Sequence, residues 1–254
     1  MEVRLLVMTY DETAFNKHIA EEHKMSLLGD YVKEIVYGGT DGIVTTFAVV
    51  AGFSGAYLNA ENTIQLSILT VLLFGLANLF ADGMAMGLGN FISLRAEHSM
   101  YLAHKDKEWE EIQTNPKQEE IETIFLLMRK GLSEEDAKAM TKLYIKYPKY
   151  WLDFMMTEEL QLQSTEAIKP FVNGLMTFLS FCFFGFIPII PYLFSTDPRQ
   201  AFTISIFSTL FALASLGLLS GWVTKRNKLW TISESILVGG TAAGIAYFVG
   251  TFFA

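Results

Sequence analysis

Two pairs of glutamates, Glu108 with Glu111 and Glu119 with Glu122, stand out first for what their type and spacing could do. Residues three apart on a helix share a face, so each pair presents two carboxylates together. Two such faces brought together make an oxygen-rich cluster, which hard and borderline divalent cations take as ligands. Further on, Met155, Met156 and Glu159 follow Trp151-Leu152-Asp153-Phe154, setting an acid four residues after a thioether. Mixed carboxylate and thioether ligation favours Fe(II) or Mn(II) over Mg(II). The plainer alternative is a set of charge-rich helices that are simply solvated, although adjacent methionines beside an acid are an odd choice for a wetted face. His98 and His104 lack a partner motif and read as spectators.

A second set of polar residues lies inside apolar runs. Asp41 sits in Gly38-Gly39-Thr40-Asp41-Gly42, and Asp82 sits mid-run with Asn78 and Met86 four residues to either side. That spacing places an amide oxygen, a carboxylate and a thioether on one helical face. A carboxylate at bilayer depth costs at least about 2.5–3.5 kcal/mol on insertion scales, so it needs a reason to be there. For Asp41 the structural reason would be a helix cap, and for Asp82 a hydrogen bond between helices. The functional reason is a translocation site, where Asp supplies charge and Met a soft ligand that discriminates against magnesium and calcium.

These residues need elements to hold them. The chain is 51% hydrophobic with a mean hydropathy of +0.32, yet 18% of its residues are charged, so the charge must be segregated. A spanning helix needs about 20 mostly apolar residues, and five runs qualify: 35–57, 64–92, 171–194, 202–223 and 233–253. The expected fold is all-α: a five-transmembrane-helix bundle, with a cytoplasmic helical metal-binding domain inserted between helices 2 and 3. The boundaries are an N-terminal cytoplasmic arm at 1–34, transmembrane helices 1–2 at 35–94, the insert at 95–169 and transmembrane helices 3–5 at 170–254. The arm carries Asp11, Glu12, Glu21, Glu22 and Asp30 and has no signal-peptide pattern.

With the N-terminus inside, only Arg199 of the 19 Lys and Arg falls in an outward loop, and the short loop Lys225-Arg226-Asn227-Lys228 lies inside. From Glu97 to Lys169 there are fifteen acids against ten bases and little β-branched alternation, which reads as helices. Span two is expected to continue to about Gln113. Thr114-Asn115-Pro116 then opens a second helix, Ser133 with Asp136 a third, and Tyr147-Pro148 a segment carrying Trp151 to Gln163. Glycines at four-residue spacing, such as Gly38/Gly42, Gly217/Gly221 and Gly240/Gly244, favour close helix approach. No basic stripe exists to neutralise phosphates, which argues against nucleic acid. The single Cys182 excludes an internal disulfide and a Cys-based zinc site.

Three motifs together resemble the vacuolar iron transporter family over nearly all of residues 31–254: Asp41-Gly42-Ile43-Val44-Thr45-Thr46-Phe47 and onward to Ala56, Met84-Ala85-Met86-Gly87-Leu88-Gly89-Asn90 leading to Glu97, and Trp151-Leu152-Asp153-Phe154-Met155-Met156 with Glu159. The resemblance implies a homodimer of five-span subunits in the lipid bilayer, with metal exchanged for protons near the dimer interface. It further implies that Asp41 and Met86 line the pathway. The acids Glu108, Glu111, Glu119, Glu122 and Glu159, with Met155 and Met156, would form the cytoplasmic metal-binding domain. One departure stands out: plant members have a Glu where this chain has Asn78, and a Gly where it has Asp82, so the acid sits one turn later. The version here is closer to bacterial members, for which a cell membrane is expected rather than a vacuole or another organelle.

The expected activity is therefore transport of Fe(II) or Mn(II) out of the cytoplasm by proton antiport, with the metal as substrate and no organic cofactor. The rival readings are a membrane-anchored diiron-type ferroxidase and a metal sensor or buffer. Against the first, Glu108 and Glu119 are each followed at three residues by Glu rather than by the His of such sites.

Overall fold

The computed structural model describes residues 12–18, 27–57 and 64–251, and all of its elements are helices. In chain order they are α1 (Glu12–His18), α2 (Leu27–Asp30), α3 (Val32–Tyr57), α4 (Ile64–Thr114), α5 (Pro116–Arg129), α6 (Glu134–Lys146), α7 (Pro148–Glu158), α8 (Pro170–Phe186), α9 (Ile190–Phe194), α10 (Pro198–Val223) and α11 (Lys228–Thr251). Most of the N-terminal arm, the expected outward loop at 58–63 and the last residues of the fifth run lie outside the described residues. Four helices, α3, α4, α10 and α11, are long and apolar enough to cross a membrane.

The run at 171–194 differs from the expected single span. It forms the 17-residue α8, a turn at 187–189 and the five-residue α9. Pro188 and Pro191 are the cause, since proline lacks the N–H that helix continuation needs and its ring crowds the preceding turn. The backbone tightens to three-residue bonds here, with the Ile189 N–H on the Phe186 carbonyl and the Tyr192 N–H on the Ile189 carbonyl. Tyr192 would otherwise have served the Pro188 carbonyl. The buried Ser205 hydroxyl of α10 donates to that carbonyl instead, at 2.7 Å, so a buried acceptor is not left bare.

The chain divides into two compact units. The first holds the described residues up to Met86 and those from Met176 on. In it α3 packs against α10 and α11, with Phe47, Phe202 and Tyr247 in a stack that crosses all three helices. The α3 glycines allow α8 to approach closely: a Cβ at Gly38 would lie 2.6 Å from the Thr177 carbonyl, and one at Gly42 would collide with that of Phe181. Gly240 and Gly244, by contrast, face open space rather than a neighbouring helix.

The second unit, Gly87–Leu175, holds the C-terminal half of α4 with α5, α6 and α7. The expected punctuation is present. Asn115 separates α4 from α5, whose first residue is Pro116, and the Ser133 hydroxyl accepts the Asp136 N–H to cap α6. Helix α7 stops at Glu158, short of the expected Gln163, where Gln161 takes a left-handed backbone (φ 54°). The core of this unit gathers Tyr101 and Ile112 of α4, Leu127 of α5, Tyr144 of α6 and Trp151, Leu152, Met155 and Met156 of α7.

Candidate metal centre

Helices α4 and α5 are joined by the single residue Asn115, so their carboxylate-bearing faces fold back onto each other. Glu108 from α4, Glu119 from α5 and Glu159 from the end of α7 each offer an oxygen, all within 4.8 Å of one another. One divalent ion with metal–oxygen bonds of about 2.0–2.5 Å holds its ligands no more than about 4–5 Å apart, so the cluster is already near that size. Glu108 is 2% exposed and Glu119 4%. These two share a hydrogen bond, yet Oε1 of Glu108 and Oε2 of Glu119 are buried without a hydrogen-bond partner. A buried carboxylate oxygen left bare costs free energy that a bound cation removes.

Glu111 and Glu122 complete the acidic wall of a cavity of about 240 Å³ around this cluster, with His104, Lys107, Asn115 and Gln118 also lining it. Glu111 is paired with Lys107 at 3.3 Å, and Glu122 accepts from Gln118 Nε2 at 2.8 Å. Burial, reinforced by the Glu159 and Glu119 charges, pushes Glu108 up to about 8, and burial with Glu122 and Glu159 pushes Glu119 up to about 7. Glu159 is raised by burial and by Glu122 and Glu111. Without a cation, then, the Glu108–Glu119 pair holds a proton between its two carboxyls.

All five sequence-predicted acids of the insert thus meet in one place. The two thioethers do not line that cavity. Met155 and Met156 are buried in the apolar core of the unit, and the Met155 sulfur lies 3.3 Å from the Thr123 hydroxyl. Their link to the acids is indirect. The Trp151 indole N–H donates to Thr123 Oγ1 at 2.7 Å, and that hydroxyl in turn reaches the Glu119 backbone carbonyl at 2.7 Å, fixing the turn of α5 that carries Glu119. Thr123→Val keeps the shape but strands the buried indole N–H, at a cost of about 1–3 kcal/mol. Thermal unfolding of the detergent-purified chain should therefore shift down, and an unchanged midpoint would contradict this role.

The segment after α7 is also tied down. His98 Nδ1 meets Thr165 Oγ1 at 2.8 Å and Lys105 bridges to Glu166 at 2.8 Å, so the stretch following Glu159 is held along α4. No local motif marks either contact.

In the first unit Asp41 is half-buried and nine residues inside α3, which removes the helix-cap explanation. Asn78, Asp82 and Met86 are half-buried on α4, Met86 against Leu79, Phe181 and Ile189. Asp41 and Asp82 lie near enough for the charge of one to act on the other.

A sequence profile of the VIT family matches residues 32–251. The chain belongs to the VIT family. Among its relatives, the "Vacuolar iron transporter" of Toxoplasma gondii is 34% identical over 91% of this chain and 77% of its own length. The protein of the same name from Plasmodium berghei is 34% identical over 92% and 85%, and "Vacuolar iron transporter 1" of Arabidopsis thaliana is 31% identical over 91% and 88%. All three carry transporter names rather than enzyme names. Membership of the VIT family and the four long apolar helices together make this a membrane protein.

Proposed function

We propose that this VIT-family chain transports divalent iron or manganese across a membrane, out of the cytoplasm and against protons. The observation that carries the reading is the Glu108–Glu119–Glu159 cluster with its two bare, buried oxygens, in a chain whose relatives are named iron transporters. Glu111 and Glu122 enlarge that acidic capture site. Asp41 and Met86, with Asp82 and Asn78, form the intramembrane pathway, where Asp82 on α4 adds a second acid. Met155 and Met156 support the capture site through Thr123 and the core. The working unit is a homodimer of five-span subunits, α8 and α9 together making the third span, with the N-terminus and the insert in the cytoplasm.

The chemistry follows from the carboxylates. A cation binds only their ionised forms, so loading the cluster releases protons that the empty site holds. In the bundle, an aspartate carrying a proton in place of the metal avoids exposing a bare charge to lipid. Exchange of metal for protons then needs no separate machinery.

The test is a sealed proteoliposome assay with Fe(II), Mn(II), Co(II) and Zn(II) offered together across a pH step. Fe(II) or Mn(II) should accumulate inside as protons leave, so the internal pH should rise. Metal binding without flux would instead identify a sensor or buffer, and oxygen consumption on adding Fe(II) would identify an oxidase.

A further inference from the structure

The cavity wall contains one imidazole. His104 lies on α4 one i, i+4 step before Glu108 and seven residues before Glu111, so the three share a helical face, and it lines the same 240 Å³ cavity as the acids. No described residue makes a hydrogen bond or ion pair with its ring. His98, the other histidine of this unit, has its Nδ1 engaged by Thr165. We propose that His104 is a further ligand of the cation held by Glu108, Glu119 and Glu159, and that it sets the metal preference of the site.

This inference rests on the capture site proposed above. The cluster supplies three carboxylates, an all-oxygen set that by itself does little to distinguish transition metals from magnesium or calcium. An imidazole changes that, because nitrogen ligation gains strength along the series from Mn(II) through Fe(II) to Co(II). A His and a carboxylate one turn apart on a helix can converge on a single ion, as two histidines at this spacing do in zinc-binding helices. The His104 ring is exposed and outside the 4.8 Å group, so it swings inward about its side-chain bonds when the ion arrives. A site whose acids are fixed by the core and whose nitrogen closes last can admit any divalent ion at the mouth and retain those that accept imidazole. Met155 and Met156, buried away from the cavity, leave His104 as the selective donor at this site.

The experiment uses the full chain in detergent with Mn(II) as a spectroscopic probe and Co(II) as a competitor. Pulsed electron paramagnetic resonance of the Mn(II)-loaded protein should record a 14N coupling from an imidazole. His104→Gln should remove it and His98→Gln should not. In titrations, His104→Gln should weaken Co(II) about tenfold and Mn(II) by less, narrowing the preference between them. A nitrogen coupling that survives His104→Gln, or that is missing from the unsubstituted protein, overturns the assignment. Glu108→Gln serves as the separate control: if it leaves Mn(II) binding unchanged, the capture site itself is wrong, whereas if it abolishes binding while His104→Gln alters neither spectrum nor preference, only the role of His104 falls.

Discussion

Glu108→Gln combined with Glu119→Gln should reduce Mn(II) affinity by more than about a hundredfold, since losing even an outer-sphere partner of a metal ligand costs about 10–100-fold. The same variant should stabilise the metal-free protein in a pH-dependent way. Burial holds Glu108 up to about 8 and Glu119 up to about 7 in the folded chain, against about 4.3 for a free Glu. Between those limits the folded state keeps protons that the unfolded state has released. Stability is therefore fullest below about pH 4.3 and is lost as pH rises towards about 8. Glutamine does not titrate, so the variant should lack this decline. Metal binding runs the other way: between about pH 6 and 8 the affinity of the unsubstituted chain should rise about tenfold per pH unit for each proton displaced, then level off. Calorimetric titration at several pH values, with melting curves of the metal-free protein, checks both signs. A pH-independent affinity would mean that these carboxyls are not what the ion displaces protons from.

Asp41→Asn should lower the initial rate of Fe(II) loading into vesicles by at least about a hundredfold with the protein still folded and inserted. The expectation rests on cost: an acid inside α3 is expensive in lipid, and Asn, nearly the same size, removes the charge and its expense together. A purely structural Asp41 would leave transport running. Asp82→Asn should also slow loading, and the double substitution should add little, because two acids that act on each other work as one unit. Melting behaviour and insertion, measured alongside, separate lost transport from lost protein.

Helix boundaries marked by local chemistry were legible in the sequence: Asn115 with Pro116 and Ser133 with Asp136 each act within one turn. Carboxylate spacing was legible too, because the i, i+3 rule needs only the chain itself, and the two glutamate faces do meet across the α4–α5 turn. The third run looks like one continuous span in sequence because hydropathy does not register Pro188 and Pro191, and its break is completed by Ser205, seventeen residues away. The burial of Met155 and Met156 in the core was not legible, because a thioether near an acid looks the same in sequence whether it faces a cavity or a core. His104 carries no motif of its own, and its four-residue relation to Glu108 is the same kind of spacing that pairs the acids; that this face of α4 borders a cavity is visible only in the structure.

The deep placement of Met155 and Met156 has a consequence for durability. Ferrous iron in the presence of oxygen generates species that convert thioethers to sulfoxides, and a sulfoxide inside an apolar core would force it apart. These two sulfurs belong to residues with 0% and 1% of their surface accessible, while Met100, Met128 and Met140 on the same unit are 50%, 42% and 36% open to solvent. Oxidants would spend themselves on that outer set, where a polar, chiral sulfoxide displaces nothing, and reductase enzymes can reach and repair it.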